Sequence, residues 1–192
     1  IENNYTLNYK EYRLIRIIPT NNFKIEKLED LVEINYGSRI TKKNDSVSEN
    51  SEIKYPVYGG GGISFYTNKY NREDELIISR FAVTKKNVRL VKDKFWLNDG
   101  GLSLKLKSKK VTRNYLNYIL LGFQEIIYEI ASGSIQAGLN LRLFKNLEIP
   151  IPKLTKDMVL WEEKIFSEKD NKQFDKHIKD LKNNAIKEIT YY

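Results

Sequence analysis

Four consecutive glycines, Gly59, Gly60, Gly61 and Gly62 in YPVYGGGGISFY (55–66), fix one local behaviour of this chain: neither a helix nor a strand runs through them. A run with no side chains packs nothing and loses the most freedom on folding, so something else must justify it. The flanking residues are aromatic or β-branched, which reads as two short strands, Lys54–Tyr58 and Ile63–Tyr66, around a bare loop. Turn signals separate three further strands at Glu75–Arg80, Asn87–Val91 and Leu102–Lys107. In the last of these, Ser103-Leu-Lys-Leu-Lys alternates strictly, so one face should be apolar and the other basic.

Helical signals flank this β-rich stretch. Asn22 is placed to cap a short helix over Lys24–Glu33, with Ile25, Leu28 and Val32 on one face. Thr112 is placed to cap a helix running to Ala131. Leu116, Ile119, Leu120, Phe123, Ile126, Ile127 and Ile130 give that helix a wide apolar face. A small-residue loop follows, then a helical turn near Leu141–Lys145 and an apolar strand, LEIPIP (147–152). Beyond Pro152 the composition changes. Phe174, Ile178, Leu181, Ala185 and Ile189 recur at spacings of 4, 3, 4 and 4 on an otherwise charged segment. That stripe fits either a helix lying on its own domain or one that projects to meet another helix, and the second is favoured. The pattern predicts an α+β chain: a β-rich globule with a few packed helices, followed by a long C-terminal helix. Residues 1–20 read as a lead-in, 21–152 as the globule and 153–192 as the helix.

Composition narrows the function. Apolar residues make up 41% of 192, enough for a core, so general disorder is excluded. The chain has no cysteine, which removes disulfides and thiolate metal sites and suits a reducing, cytoplasmic setting. No apolar run reaches the roughly 18 residues that a membrane span requires. The first residue is Ile1 and the only methionine is Met158, which suggests a portion of a longer polypeptide. The net charge of +8 is concentrated: Arg80–Arg113 carries eleven Lys/Arg against two Asp, whereas Lys153 onward is nearly balanced. A basic centre of that density favours a polyanion, nucleic acid ahead of an anionic membrane.

Catalytic signatures are missing. His177 is the sole histidine and reads as an exposed helical residue, so a His-based triad or His-rich metal site is not available. The glycine run lacks the following Lys-Ser/Thr of a P-loop and the spaced glycines of a dinucleotide fold. Acidic residues such as Glu73, Asp74 and Glu75 read as solvated. No catalytic residue and no metal ligand is assigned.

The run from Tyr55 to Lys105 resembles the target-recognition domain of type I restriction–modification specificity subunits. The matching elements are Tyr55–Ile63, Tyr66, a strand ending in Arg80, and Phe95-Trp96-Leu97-Asn98. ASGSIQAGLN (131–140) resembles the family's Gly-Ser-x-Gln-x-x-Leu-Asn element, and Leu147–Pro152 resembles the strand before its spacer helix. NNYTLNYKEY (3–12) looks like the end of a methyltransferase region in fused adenine-N6 enzymes. The Pro-Leu-x-x-Gln start of the spacer helix is replaced by KLTKDMVLWEEK, and the chain has length for one recognition domain where a full subunit carries two.

The resemblance implies a non-catalytic module that reads a half-site in duplex DNA. Phosphate contacts would come from Lys42, Lys43, Lys85, Lys86, Arg89, Lys105 and Lys107. Base edges would be read by Arg39, Asn68, Arg72, Asn98, Gln136 and Arg142. Arg80 is either a reader or a structural residue, and Tyr55, Trp96 and Phe123 are assigned to the core. The glycine loop either needs positive φ or brings bare amides to a phosphate, the second being favoured. The implied partners are a methyltransferase subunit or domain, which would hold S-adenosylmethionine, and a second recognition domain. No cofactor is expected in this chain, and no membrane. The tail stripe, Phe174, Ile178, Leu181, Ala185 and Ile189, would be the handle for a partner. Two other classes fit the residues: an RNA-binding module stacking bases on Tyr66, Tyr70, Phe81 and Phe95, or an assembly protein using the tail alone.

Overall fold

A computed structural model describes residues 15–81, 83–132, 138–168 and 170–191. The chain enters through strand β1 (Ile15–Pro19) and turns at Thr20, whose carbonyl accepts from Phe23 N–H at 3.0 Å. There follow β2 (Phe23–Lys27), a single helical turn α1 (Leu28–Leu31) and β3 (Val32–Tyr36). The helix expected over Lys24–Glu33 is therefore reduced to four residues. Ile25, Leu28 and Val32 fit a helical face, but β2 is claimed by an antiparallel ladder with β11 (Glu148–Pro152), Ile25 opposite Pro150. Asn22 caps nothing; its carbonyl accepts from Lys153 N–H at 2.9 Å.

The centre is a six-stranded sheet. After a short helix α2 (Lys42–Asp45) come β4 (Tyr55–Tyr58), β5 (Ile63–Thr67), β6 (Arg72–Ser79), β7 (Val88–Leu97) and β8 (Gly101–Leu106). With β3 they form the order β3-β8-β6-β7-β4-β5. Every pairing is antiparallel except β4 with β7, where Val57 lies opposite Trp96. The sheet is bent by a bulge at Glu73–Glu75 against β7. There Asp74 (φ 50°) and Asp93 (φ 62°) take left-handed conformations, and Asp93 N–H donates to Asp74 Oδ1 at 2.8 Å. Asp tolerates that region because its short side chain bonds locally. The alternation expected in β8 holds for buried Leu102 and exposed Lys105, but Ser103 is buried as well.

Helix α3 (Arg113–Gly122) starts as expected, with Thr112 Oγ1 accepting from Tyr115 N–H at 3.2 Å. It does not run through to Ala131. Phe123 (φ −92°, ψ 8°) breaks it, and α4 (Gln124–Glu129) follows. The break falls beside Gly122, where a Cβ would lie 3.3 Å from Lys182 Cβ, because another helix crosses closely there. All seven residues of the expected apolar face are buried, and Tyr115 Oη donates to Pro150 O at 2.9 Å beneath them. Next come β9 (Ala131–Ser132), its partner β10 (Gly138–Leu139), and α5 (Leu141–Lys145), capped by Asn140 Oδ1. β11 closes this region.

The tail departs most from expectation. It holds two helices, α6 (Thr155–Phe166) and α7 (Asn171–Ala185), and a strand, β12 (Ile186–Tyr191). Ile189 is thus in a strand, opposite Ile17 of β1 in an antiparallel pair. Ile178, Leu181 and Ala185 are buried against the chain's own core, and Phe174 packs edge-to-face on Tyr118 of α3 at 6.0 Å. The stripe serves helix–helix packing within the domain, and the described residues of both ends share its core through Ile17, Met158, Ile165 and Ile178. A stripe is equally satisfied by an internal or an external partner, and here α3 supplies it. His177, expected to be exposed, is largely buried, with Nδ1 3.3 Å from Glu168 Oε1. Among the described residues no helix is long and apolar enough to cross a membrane.

Candidate nucleic-acid interface

A second, smaller core of Ile77, Val91, Phe95 and Leu97, with Tyr58 packed on it, supports the end of the sheet that carries the glycine run. Phe95 meets Tyr58 edge-to-face at 5.6 Å. Above that core the backbone packs on itself. A Cβ on Gly60 would lie 2.3 Å from Phe81 O, and one on Gly37 would lie 2.0 Å from Asn98 O. Ser79 Oγ donates to Gly60 O at 2.7 Å, tying the loop to β6. None of Gly59–Gly62 has φ in the left-handed region, so the positive-φ explanation of the quartet fails. Only Gly60 is required by close approach; Gly59, Gly61 and Gly62 face open space. Outside the strand ladders, none of the four amides donates a hydrogen bond among the described residues.

Arg80 adjoins this loop through Phe81. Its guanidinium carbon lies 4.9 Å from the Tyr36 ring centroid and 4.7 Å from that of Phe81. Both rings are nearly half exposed, at 46% and 48%. The Arg80 backbone is fixed as well: its N–H donates to Gly100 O at 2.9 Å and its carbonyl accepts from Leu139 N–H at 2.9 Å. Its side chain has no hydrogen-bond acceptor and no carboxylate among the described residues.

Arg39 is presented differently. Ser38 N–H donates to Leu97 O at 2.9 Å, and Ser38 O accepts from Trp96 Nε1 at 2.7 Å. On the other side, Ile40 N–H donates to Asn98 Oδ1 at 3.0 Å, and Asn98 Nδ2 donates back to Ile40 O at 3.1 Å. Two clamps thus hold the backbone on either side of Arg39, which is exposed and has no partner among the described residues. Lys42 and Lys43 follow on α2, also exposed, and Lys42 edges a shallow cleft of about 440 Å3 with Ile63 and Tyr66.

Several expected contacts are placed elsewhere. Asn98 is a pin, because both ends of its amide are used and Oδ1 also accepts from Asp99 N–H at 3.0 Å. Arg72 is spent on Ser103 Oγ, Asn71 O and Tyr36 O, at 3.0, 2.8 and 3.0 Å, and lies 3.4 Å from Glu75. Neither is free to read a base. Arg89 is half-buried on β7, and burial lowers its guanidinium from the ordinary value, with Tyr58 acting against the shift. Lys105 sits opposite Glu33 and three ladder pairs from Tyr36, about 10 Å away. Lys107 lines a groove with Glu29, Glu33 and Lys145. Asn68, Lys85 and Lys86 are exposed on connecting loops. Arg142 is exposed at the start of α5, and Gln136 lies outside the described residues. Of the residues assigned to the core, Phe123 is fully buried while Tyr55 and Trp96 are half-buried. Full burial of Phe95 removes it from base stacking.

The family model described as the type I restriction modification DNA specificity domain matches residues 20–191. The chain belongs to that family. Its specificity-domain fold is shared with the S subunit of a type I system from M. genitalium, at TM-score 0.67 and 20% identity over 77% of this chain. The HsdS subunit from Thermoanaerobacter tengcongensis gives TM-score 0.50 and 12% identity over 86% of this chain. A chain from a study of complex assembly in the type I R-M system gives 0.53 and 15% over 84%. The specificity domain spans 39%, 46% and 40% of those three chains. No curated protein matches it. Sequence reasoning about the specificity domain missed Tyr36 and the Ser38–Ile40 clamp. Their partners lie about 45–60 residues away along the chain, and spacing alone carries no trace of them.

Proposed function

We propose that this specificity domain reads a short half-site in duplex DNA and directs a methyltransferase to it. The observation that carries the reading is the concentration, at one end of the sheet, of donors with no partner among the described residues: the Gly59–Gly62 amides, Arg80, Arg39, Lys42 and Lys43. Donors held rigidly and left without internal acceptors suit an external polyanion, and cations near phosphates supply affinity that falls with salt. Arg39 is the best-placed base reader, since an exposed Arg on a fixed backbone can reach guanine O6 and N7. Specificity is the chain's own task. Adenine-N6 methylation, base flipping and S-adenosylmethionine belong to the partner, as the type I setting of the family supports.

The test is to express the chain with the methyltransferase subunit of a type I system and map modified adenines across a genome. Methylation confined to one short sequence class, with its content changed by Arg39→Ala, is the expected result. Methylation that ignores sequence, or that is unchanged when the chain is omitted, would refute the proposal.

A further inference from the structure

The geometry points to Arg80 and the amides of Gly59–Gly62 forming one phosphate-binding ledge that grips the DNA backbone without reading sequence. This rests on the proposed function and assigns a role within it.

Stacking is the first reason. A guanidinium lying against two aromatic rings keeps its planar N–H edge for an outside acceptor. Tyr36 and Phe81 fix that plane before any ligand arrives, so little rotamer freedom remains to be lost. The absence of an acceptor among the described residues leaves that edge for two oxygens of one anion.

Depth separates a phosphate from a base. The major groove is about 8.5 Å deep, and a reader must extend into it. Arg80 is only partly exposed and held between two rings of similar exposure, so it stays at the protein surface, level with the outer rim of a duplex. Phosphates lie on that rim. Arg39 has no such shoulders and keeps its reach.

Continuity supplies the third reason. Gly60 lies against Phe81 O, and Ser79 Oγ donates to Gly60 O, so the glycine loop is packed on the two residues that flank Arg80. Gly59, Gly61 and Gly62 have open space where a Cβ would stand, so a phosphate can approach the loop closely. Backbone N–H groups are ordinary donors to phosphate oxygens, which they position without reading sequence. A bare amide has no side chain with which to tell one base pair from another.

Arg80→Ala, Arg80→Lys and Phe81→Leu in the full chain test this, with circular dichroism and thermal melting to select folded variants. Two probes are used: a random-sequence 20-base-pair duplex, and a duplex enriched by the wild-type chain from a random pool. Binding is measured from 50 to 200 mM salt. The expected result is an affinity loss of about tenfold for Arg80→Ala, equal on both duplexes. Its salt slope should fall by about 0.9, which makes the loss of affinity across that range about 3-fold smaller than for wild type. Arg80→Lys should retain the slope and lose part of the affinity, and Phe81→Leu should weaken both duplexes alike. Loss confined to the enriched duplex would make Arg80 a base reader. Unchanged binding by all folded variants would make the stack structural only. Either overturns the inference while the proposed function stands. Failure of the wild-type chain to bind any duplex would overturn both.

Discussion

Asn98→Ala separates a reader from a pin. The side-chain amide makes three hydrogen bonds, from Ile40 N–H at 3.0 Å, to Ile40 O at 3.1 Å and from Asp99 N–H at 3.0 Å. Each is worth about 1 kcal/mol net, and water reaches part of this half-buried site. Removing all three should therefore cost about 2 kcal/mol, a factor of roughly 30 in the folded-to-unfolded ratio. For a chain of this length that corresponds to a fall in Tm of roughly 4–8 °C. Urea unfolding without DNA measures the cost, and hydrogen exchange at the Ile40 amide locates it. Protection of that amide should drop more than protection in β6 or β7. The variant should also bind duplex DNA less selectively, because Arg39 is no longer held from both sides. Unchanged stability and unchanged Ile40 exchange, together with an altered sequence preference, would refute the pin and restore Asn98 as a reader.

The glycine run should divide under substitution. Gly60→Ala should destabilise by roughly 1–3 kcal/mol through the clash with Phe81 O. Gly61→Ala should stay within about 0.5 kcal/mol in urea unfolding. Leu181→Ala should cost about 3 kcal/mol, since the residue is fully buried within the chain. A loss of partner binding at unchanged stability would instead indicate an external interface. Burial raises the Tyr115 hydroxyl far above its ordinary value, so only the unfolded chain ionises it near pH 10. Its contribution is complete below that pH and should be lost as pH rises above it, and Tyr115→Phe should flatten the decline seen in unfolding titrations between pH 9 and 11.

Local chemistry made much of the fold legible. Five of the six central strands were marked by turns, although β7 runs on past Val91 to Leu97 and β3 was not read as a strand; Thr112 was marked by its cap position and the α3 face by its period. Long-range competition decided the rest. Phe23–Lys27 became a strand because β11, more than a hundred residues away, offered a ladder. Ile189 left the tail helix because β1 offered another. The site divided in the same way. Arg39, Lys42 and Lys43 were readable as exposed cations, whereas Arg72 and Asn98 looked alike in sequence and were consumed by neighbours. Residue type announces a donor, but its acceptor is set by the fold.

The central claim is that this chain selects a duplex sequence by itself. Repeated enrichment of the wild-type chain on a random-sequence duplex pool, followed by sequencing, tests it most directly. The account predicts convergence on one short half-site, with binding that weakens steeply between 50 and 200 mM salt. A pool that stays random while the chain remains folded would contradict it.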